Sequence, residues 1–360
     1  MIRNTALLNC VRQVALVTSR ARCASTAAYP QVRNHDYREV PNAGHDSTSN
    51  GITGISESEP RCLQDVSAHT KDNLLDKDPY KVKIVWKHPT YDKDEMRKVD
   101  LAHLEPQCWQ DRAAWNVLAV VRKSFDLATG YKHPPKGEEA NPKYMMTPTK
   151  WLRRVIFLES IAGVPGMVGG MVRHLHSLRV MNRDKAWIES LIEESYNERM
   201  HLLSFIKIAK SGRLMRLMLL GAQGVFFNMF FVAYILFPRI CHRFVGYLEE
   251  EAIVTYTRLI EDMEQGRLPE FSEMKAPDIA TNYWHMPADA SVRDMIYYVR
   301  ADESKHREVN HTLGNLNQKT DPNPYSLDYS RLAPEEPRPT ADLKYSNSHP
   351  VGWKREDIKF

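Results

Sequence analysis

Cysteine is scarce in this 360-residue sequence: Cys10, Cys23, Cys62, Cys108 and Cys241 are the only five. Their number is odd, they are scattered, and no C-x-x-C pair occurs, which argues against a disulfide framework or a zinc ribbon. No acidic residue precedes Asp36, although Arg3, Arg12, Arg20, Arg22 and Arg33 lie in that stretch. An excess of either charge is also missing from the chain as a whole. The 49 Lys and Arg against 45 Asp and Glu leave a formal charge of +4. Without a basic stripe, no nucleic-acid partner is expected. Strand-like sequence is confined to VKIVW at 82–86. What is present is ordinary globular composition, 42% hydrophobic and 26% charged, with helical patterning through the middle of the chain.

The acid-free start is cationic, rich in Ser, Thr and Ala, and amphipathic if helical, the composition of a mitochondrial transit peptide. It is assigned to 1–28, with cleavage expected between 22 and 30. A secretory signal fits less well, because no unbroken apolar core follows Arg3. Residues 29–105, rich in Pro, Gly, Ser, His and Asp, read as an extended N-terminal arm. Residues 319–360 read as an irregular tail whose prolines forbid long helices. No internal repeat is evident. The helical domain is therefore 106–318.

Six helical segments are predicted there: 110–129, 148–178, 184–210, 213–238, 240–266 and 290–315. Gly130 is a fitting stop for the first. Pro165 interrupts the apolar run of the second, and Pro238 stands where one helix stops and the next opens.

Several acids fall where apolar residues are expected. Glu159 has Val155, Ile156, Ala162 and Gly163 as its helical neighbours. A lone carboxylate on such a face costs several kcal/mol unless it meets a partner or a metal. Glu198 and His201 are three apart on a face shared with Leu191, Ser195, Leu202 and Phe205, and Glu303 with His306 repeats the spacing. Among the three consecutive glutamates of LEEEA, Glu249 aligns with Val245, Ala252, Ile253 and Tyr256, whereas Glu251 shares a face with Arg258; Glu249 is the inward candidate. Glu-x-x-His alone is weak, since about one occurrence is expected by chance. A third pair, Glu308 and His311, has Ala301, Ser304, Lys305 and Thr312 around it and reads as more solvated. Two helices giving one Glu each and two giving Glu-x-x-His form the ligand set of a ferritin-like di-iron or di-manganese site. The fold class expected is all-α: a ferritin-like four-helix bundle with two additional membrane-facing helices.

At these residues the sequence resembles the mitochondrial alternative oxidases, cyanide-insensitive ubiquinol oxidases. The family motifs LET, NERMHL, LEEEA and RADExxH correspond to 158–160, 197–202, 248–252 and 300–306. The likeness runs over about 108–316, with Ser160 where the family commonly has Thr, so the hydroxyl is retained. The resemblance implies that Glu159, Glu198, His201, Glu249, Glu303 and His306 hold two Fe ions. It implies a redox or proton-relay role for Tyr256. Arg154, Leu158, Ala252 and Thr255 match positions lining a quinol pocket, and Asn197 and Asp302 match positions that hold the histidines. Tyr256 follows Glu249 by two helical turns on the same face, and Arg154 lies five residues before Glu159.

The stretch 217–237 contains no charged residue and is long enough to cross a bilayer. Parity opposes a crossing: Glu198 and His201 precede it, while Glu249, Glu303 and His306 follow it. Attachment to one membrane leaflet is expected instead, with the first helix dipping Trp115, Leu118 and Phe125 beside it against Arg112, Arg122 and Lys123. A buried core or dimer helix is the alternative. The resemblance favours attachment to one leaflet and a homodimer.

The function expected is that of a ubiquinol:oxygen oxidoreductase reducing O2 to water. It would be cyanide-resistant and non-proton-pumping, on the matrix side of the mitochondrial inner membrane. A membrane di-iron hydroxylase such as a demethoxyubiquinone hydroxylase, an iron-storage or ferroxidase protein, and a metal-free structural bundle are the alternatives. Cys62 or Cys108 as an intersubunit link is left open.

Overall fold

The computed structural model describes residues 88–359 apart from 136, 139, 140, 210, 211, 334 and 335. The transit peptide and VKIVW readings therefore lie outside the described residues, as does Cys62. Ten α-helices follow in order: α1 Lys93–Arg97, α2 Trp109–Thr129, α3 Pro148–Val180, α4 Trp187–Ile208, α5 Arg213–Leu236, α6 Pro238–Glu264, α7 Pro269–Glu273, α8 Asp278–Tyr283, α9 Val292–Asn315 and α10 Leu343–Ser348. Among the described residues there is no strand, only an isolated bridge between Lys275 and Ser291. Among the described residues the secondary structure is helical, as the patterning predicts.

Local chemistry sets the helix ends. Gly130 closes α2 in the left-handed conformation, at φ 67°. Thr147 caps α3 by accepting from the Lys150 amide, with Pro148 at the first helical position. Ser291 and Asp294 form a reciprocal capping box at the start of α9. Pro238 opens α6 directly after α5 ends at Leu236.

Helix α3 passes through Pro165 without stopping. Carbonyls in the preceding turn find side-chain donors: Gln223 Nε2 reaches Ser160 O at 2.6 Å, and Ser195 Oγ reaches Gly163 O at 2.7 Å. The carbonyl that Pro165 leaves without a helical donor is that of Ile161, and these bonds flank it, tying the turn to α5 and α4. The glycines nearby have a packing purpose. A Cβ at Gly166 would stand 2.5 Å from Leu191 O, so α3 and α4 touch through a seam without side chains.

Four helices form the bundle, with α3 against α4 and α6 against α9 as its most extensive pairs. Helix α5 packs on α3, and α2 on α6. The inner helices carry the core, including Trp151, Phe205, Tyr256, Ile253 and Val299. Outer helix α5 keeps only Phe230 and Tyr234 buried and exposes Leu214, Leu217, Leu220, Val225, Met229 and Val232.

The apolar face expected to dip outward from α2 is corrected. Leu118 is buried, Trp115 packs on the inner cluster, and Phe125 lies 5.6 Å from Phe157. That face is occupied because α2 lies on α6. Its outward apolar side chains are Trp109, Val117, Val120 and Leu127.

The C-terminal residues fold back on α9. Trp353 is buried, donating from Nε1 to Glu308 Oε1 at 2.6 Å, and Asn315 Nδ2 donates to Trp353 O at 2.8 Å.

Candidate metal centre

Each inner helix turns acids toward the bundle axis: α3 gives Glu159, α4 gives Glu198 and His201, α6 gives Glu249, and α9 gives Glu303 and His306. All six are buried. One ligand atom from each of Glu159, Glu198, His201 and Glu303 can be chosen so that all lie within 4.8 Å of one another. The same holds for Glu198, Glu249, Glu303 and His306. Glu198 and Glu303 belong to both groups, so the six residues make two adjoining groups of four with two carboxylates in common, each of which could hold a metal ion. His201 Nδ1 lies 3.2 Å from Glu159, 3.4 Å from Glu303 and 3.7 Å from Glu198. His306 Nδ1 lies 2.7 Å from Glu198 Oε1 but without the angle of a hydrogen bond.

The electrostatics are those of crowded buried charge. Burial, then the charges of Glu198 and Glu303, push the Glu159 carboxyl well above its usual range. Burial, then Glu303 and Glu198, do the same to Glu249. Burial pushes Glu198 upward too, yet the His201 and His306 rings beside it outweigh this and hold it low. Burial opposes charge on His306, but Glu198 raises its pKa to about 9.

Both oxygens of Glu198, one each of Glu249 and Glu303, and Nδ1 of His306 are buried without a hydrogen-bond partner. Such groups are costly unless something satisfies them. All belong to the group of Glu198, Glu249, Glu303 and His306, they are carboxylate oxygens and imidazole nitrogen, and that donor set suits iron or manganese. The residues fit a pair of metal ions.

Asp302 supports one side of this cluster. Its Oδ2 meets His201 Nε2 at 3.0 Å, Asn197 Nδ2 at 3.0 Å and Trp284 Nε1 at 2.9 Å. Its Oδ1 meets His88 Nε2 at 2.6 Å. Burial works against the charge, but His88 and His201 hold this carboxyl well below its usual range. Asn197 thus touches Asp302 and Tyr283 rather than a histidine. Sequence reasoning missed His88, Tyr283 and Trp284, which no helical spacing connects to the motifs.

Tyr256, fully buried and stacked on Phe205, donates to Glu159 Oε1. Arg154 is also buried. Its Nη1 reaches Asp126 at 2.8 Å and Thr129 Oγ1 at 2.9 Å, and its guanidinium lies over the Tyr131 ring at 4.0 Å. Ala252 and Thr255 are buried on α6, and Leu158 is half-buried beside Glu159 on α3.

Two sequence readings are corrected here. Glu308 and His311, read as a solvated pair, are fully buried. Folded-back residues Tyr325, Ser346 and Trp353 cover Glu308 and all donate to it. His311 is enclosed by α6, where a Cβ on Gly246 would stand 2.5 Å from its Nδ1. The second correction concerns LEEEA. Glu249 joins the cluster, but Glu250 is buried as well, facing the other way to accept from His311 Nε2 at 2.8 Å and the Leu104 amide at 3.0 Å. Glu251 pairs with Arg122 at 2.5 Å.

An all-helical bundle with a buried carboxylate and histidine cluster of this composition defines a class of metal-binding bundle proteins. Comparison with known proteins narrows it. The family model described as "Alternative oxidase" matches residues 91–315. The chain is 56% identical over 279 residues to the mitochondrial alternative oxidase of Aspergillus niger, covering 77% of this chain and 78% of that one. It is 50% identical over 318 residues to that of Yarrowia lipolytica, covering 88% and 87%. The chain belongs to the alternative oxidase family, and its relatives are mitochondrial oxidoreductases.

Proposed function

We propose that the protein oxidises ubiquinol and reduces O2 to water at a di-iron centre, with resistance to cyanide. The observation that carries this reading is the pair of adjoining four-ligand groups that share Glu198 and Glu303. Glu159 and His201 would hold one iron and Glu249 and His306 the other. When bound, the two irons supply the redox chemistry for passing electrons from quinol to oxygen. Four carboxylates offset the charge of two divalent cations, and their hard oxygens suit oxidised iron.

The remaining residues handle quinol and protons. Tyr256 holds its hydroxyl proton against Glu159 Oε1, where it can pass a proton or hydrogen to chemistry at the centre. Arg154, held by Asp126 and Thr129, would orient a quinol oxygen, with Leu158, Ala252 and Thr255 lining the approach. Two quinols release the electrons and protons that one O2 consumes. Release and uptake on one side of the membrane leave no proton pumping.

The exposed apolar surface of α5 supports attachment to one leaflet. The reading includes a homodimer on the matrix side of the inner membrane.

Oxygen uptake by the detergent-purified full-length protein, given ubiquinol in the presence of cyanide, tests the proposal. Two quinols consumed per O2, with uptake abolished in Glu198→Ala, is the expected result. Bound iron without quinol-driven uptake would instead favour a hydroxylase or ferroxidase.

A further inference from the structure

His88 lies before the first described helix, yet its side chain reaches the support of the metal cluster. It is 8% exposed and sits among aromatic rings, with Tyr91 at 4.9 Å, Tyr283 at 5.1 Å and Trp284 at 6.1 Å. Its Nε2 is 2.6 Å from Asp302 Oδ1, and its Nδ1 is 2.5 Å from Pro89 O. The Asp302 carboxylate oxygen can only accept, so Nε2 of His88 donates to it. The matched family region begins at residue 91, so His88 lies outside it.

Asp302 Oδ2 serves His201, Asn197 and Trp284 together, a geometry that requires the carboxylate plane to stay fixed. His88 hydrogen-bonds to the other oxygen, Oδ1. A carboxylate behind a metal-ligating imidazole fixes its tautomer and raises its basicity. Here Nε2 of His201 faces Asp302, which leaves Nδ1 for the cluster. The second histidine lacks such support: among the described residues, no side chain hydrogen-bonds to His306 Nε2. The two metal positions therefore differ although their ligand types match.

We propose that His88 is a positioning residue for the ligand His201, acting through Asp302, and that this support makes the Glu159 and His201 position the tighter of two metal positions. The proposal rests on the two-metal reading above.

The test is titration of metal-free, full-length protein with Co(II), a redox-stable probe whose visible bands report each occupied position. Wild type is expected to bind in two resolved steps. His88→Phe fills the aromatic cage without a donor and should weaken the tighter step by about 10–100-fold, leaving the other unmoved. His88→Gln, which can still donate to Asp302, should remain close to wild type. Equal weakening of both steps in His88→Phe, or none, overturns the proposal, as does a single affinity for both ions in wild type. Should His88→Phe fail to fold, Asp302→Asn decides: it must weaken the same step, and adding His88→Ala, which removes the donor, must weaken that step no further. If folded wild type takes up no Co(II), the two-metal reading itself fails, and this proposal with it.

Discussion

Glu194 lies one helical turn before Glu198 and is buried. Burial drives its carboxyl up to about 7; the charge on His306 lowers it, and that of Glu198 raises it. Its Oε2 accepts from Asn310 Nδ2 at 2.8 Å. Asn310 Oδ1 can only accept, so the hydrogen of His242 lies on Nδ1, 3.3 Å away. Burial holds that imidazole neutral, with a pKa of about 3, and its Nε2 accepts from Tyr234 at 3.0 Å. The chain of donors ends on Glu194. Its folded pKa lies above the unfolded value, so the folded state binds the extra proton. In metal-free protein this group should cost stability as pH rises from about 4.5 toward 7, with the loss complete above that. Glu194→Gln keeps an acceptor for Asn310 and removes the charge. It should stabilise the metal-free protein at pH 8 by at most about 3 kcal/mol and have little effect at pH 4. Denaturant unfolding at both pH values checks this, and an equal effect at the two would refute it. The six residues of the cluster were legible because acids on apolar helix faces are costly and two of those acids have a histidine three residues on. Glu194 and His88 were not, since their meaning depends on Asn310 and Asp302, which tertiary packing brings beside them.

Helix-scale packing rests on close backbone approach. Gly166 and Gly170 lie on the α3 face toward α4, and α4 carries Glu198 and His201. Gly166→Ala would place a methyl 2.5 Å from a backbone carbonyl, which cannot move aside as a side chain can. A loss of about 1–3 kcal/mol is expected, the usual cost of overpacking a tight contact. Because α3 carries Glu159, metal retention should fall as well. Thermal melting and iron content per chain measure the two effects; unchanged values in both would show that the seam has slack. The six long helices were readable from apolar spacing, prolines and glycine stops. The inward face of α2 was misassigned because that helix has apolar side chains on more than one side, and periodicity cannot say which side α6 covers. The burial of Glu308 was unreadable for a related reason. Its cover comes from Tyr325, Ser346 and Trp353, in proline-rich sequence without helical period.

For the whole molecule, the question is how a long apolar helix coexists with a polar metal centre. Helix α5 joins α4 to α6, and Glu198 of α4 and Glu249 of α6 belong to one group in which one atom per residue lies within 4.8 Å of the others. A crossing by α5 alone would put those ligands on opposite sides of the bilayer, so the geometry favours a helix lying in one leaflet. Arg213 and Arg216 are exposed at one end, where lipid headgroups would meet them. Leu217, Leu220 and Val225 are exposed and apolar along the helix. Replacing Leu220 and Val225 by Glu leaves the bundle core intact and sets two charges at the acyl boundary. Each costs up to about 3 kcal/mol at full hydrocarbon depth and less near the interface. In flotation with liposomes of inner-membrane composition, the double variant should leave the lipid fraction by at least about tenfold, since 1.4 kcal/mol already gives that factor. Its metal content should equal that of wild type. Flotation equal to wild type would assign this face to another occupant, such as a second copy of the chain, and would count against attachment through α5.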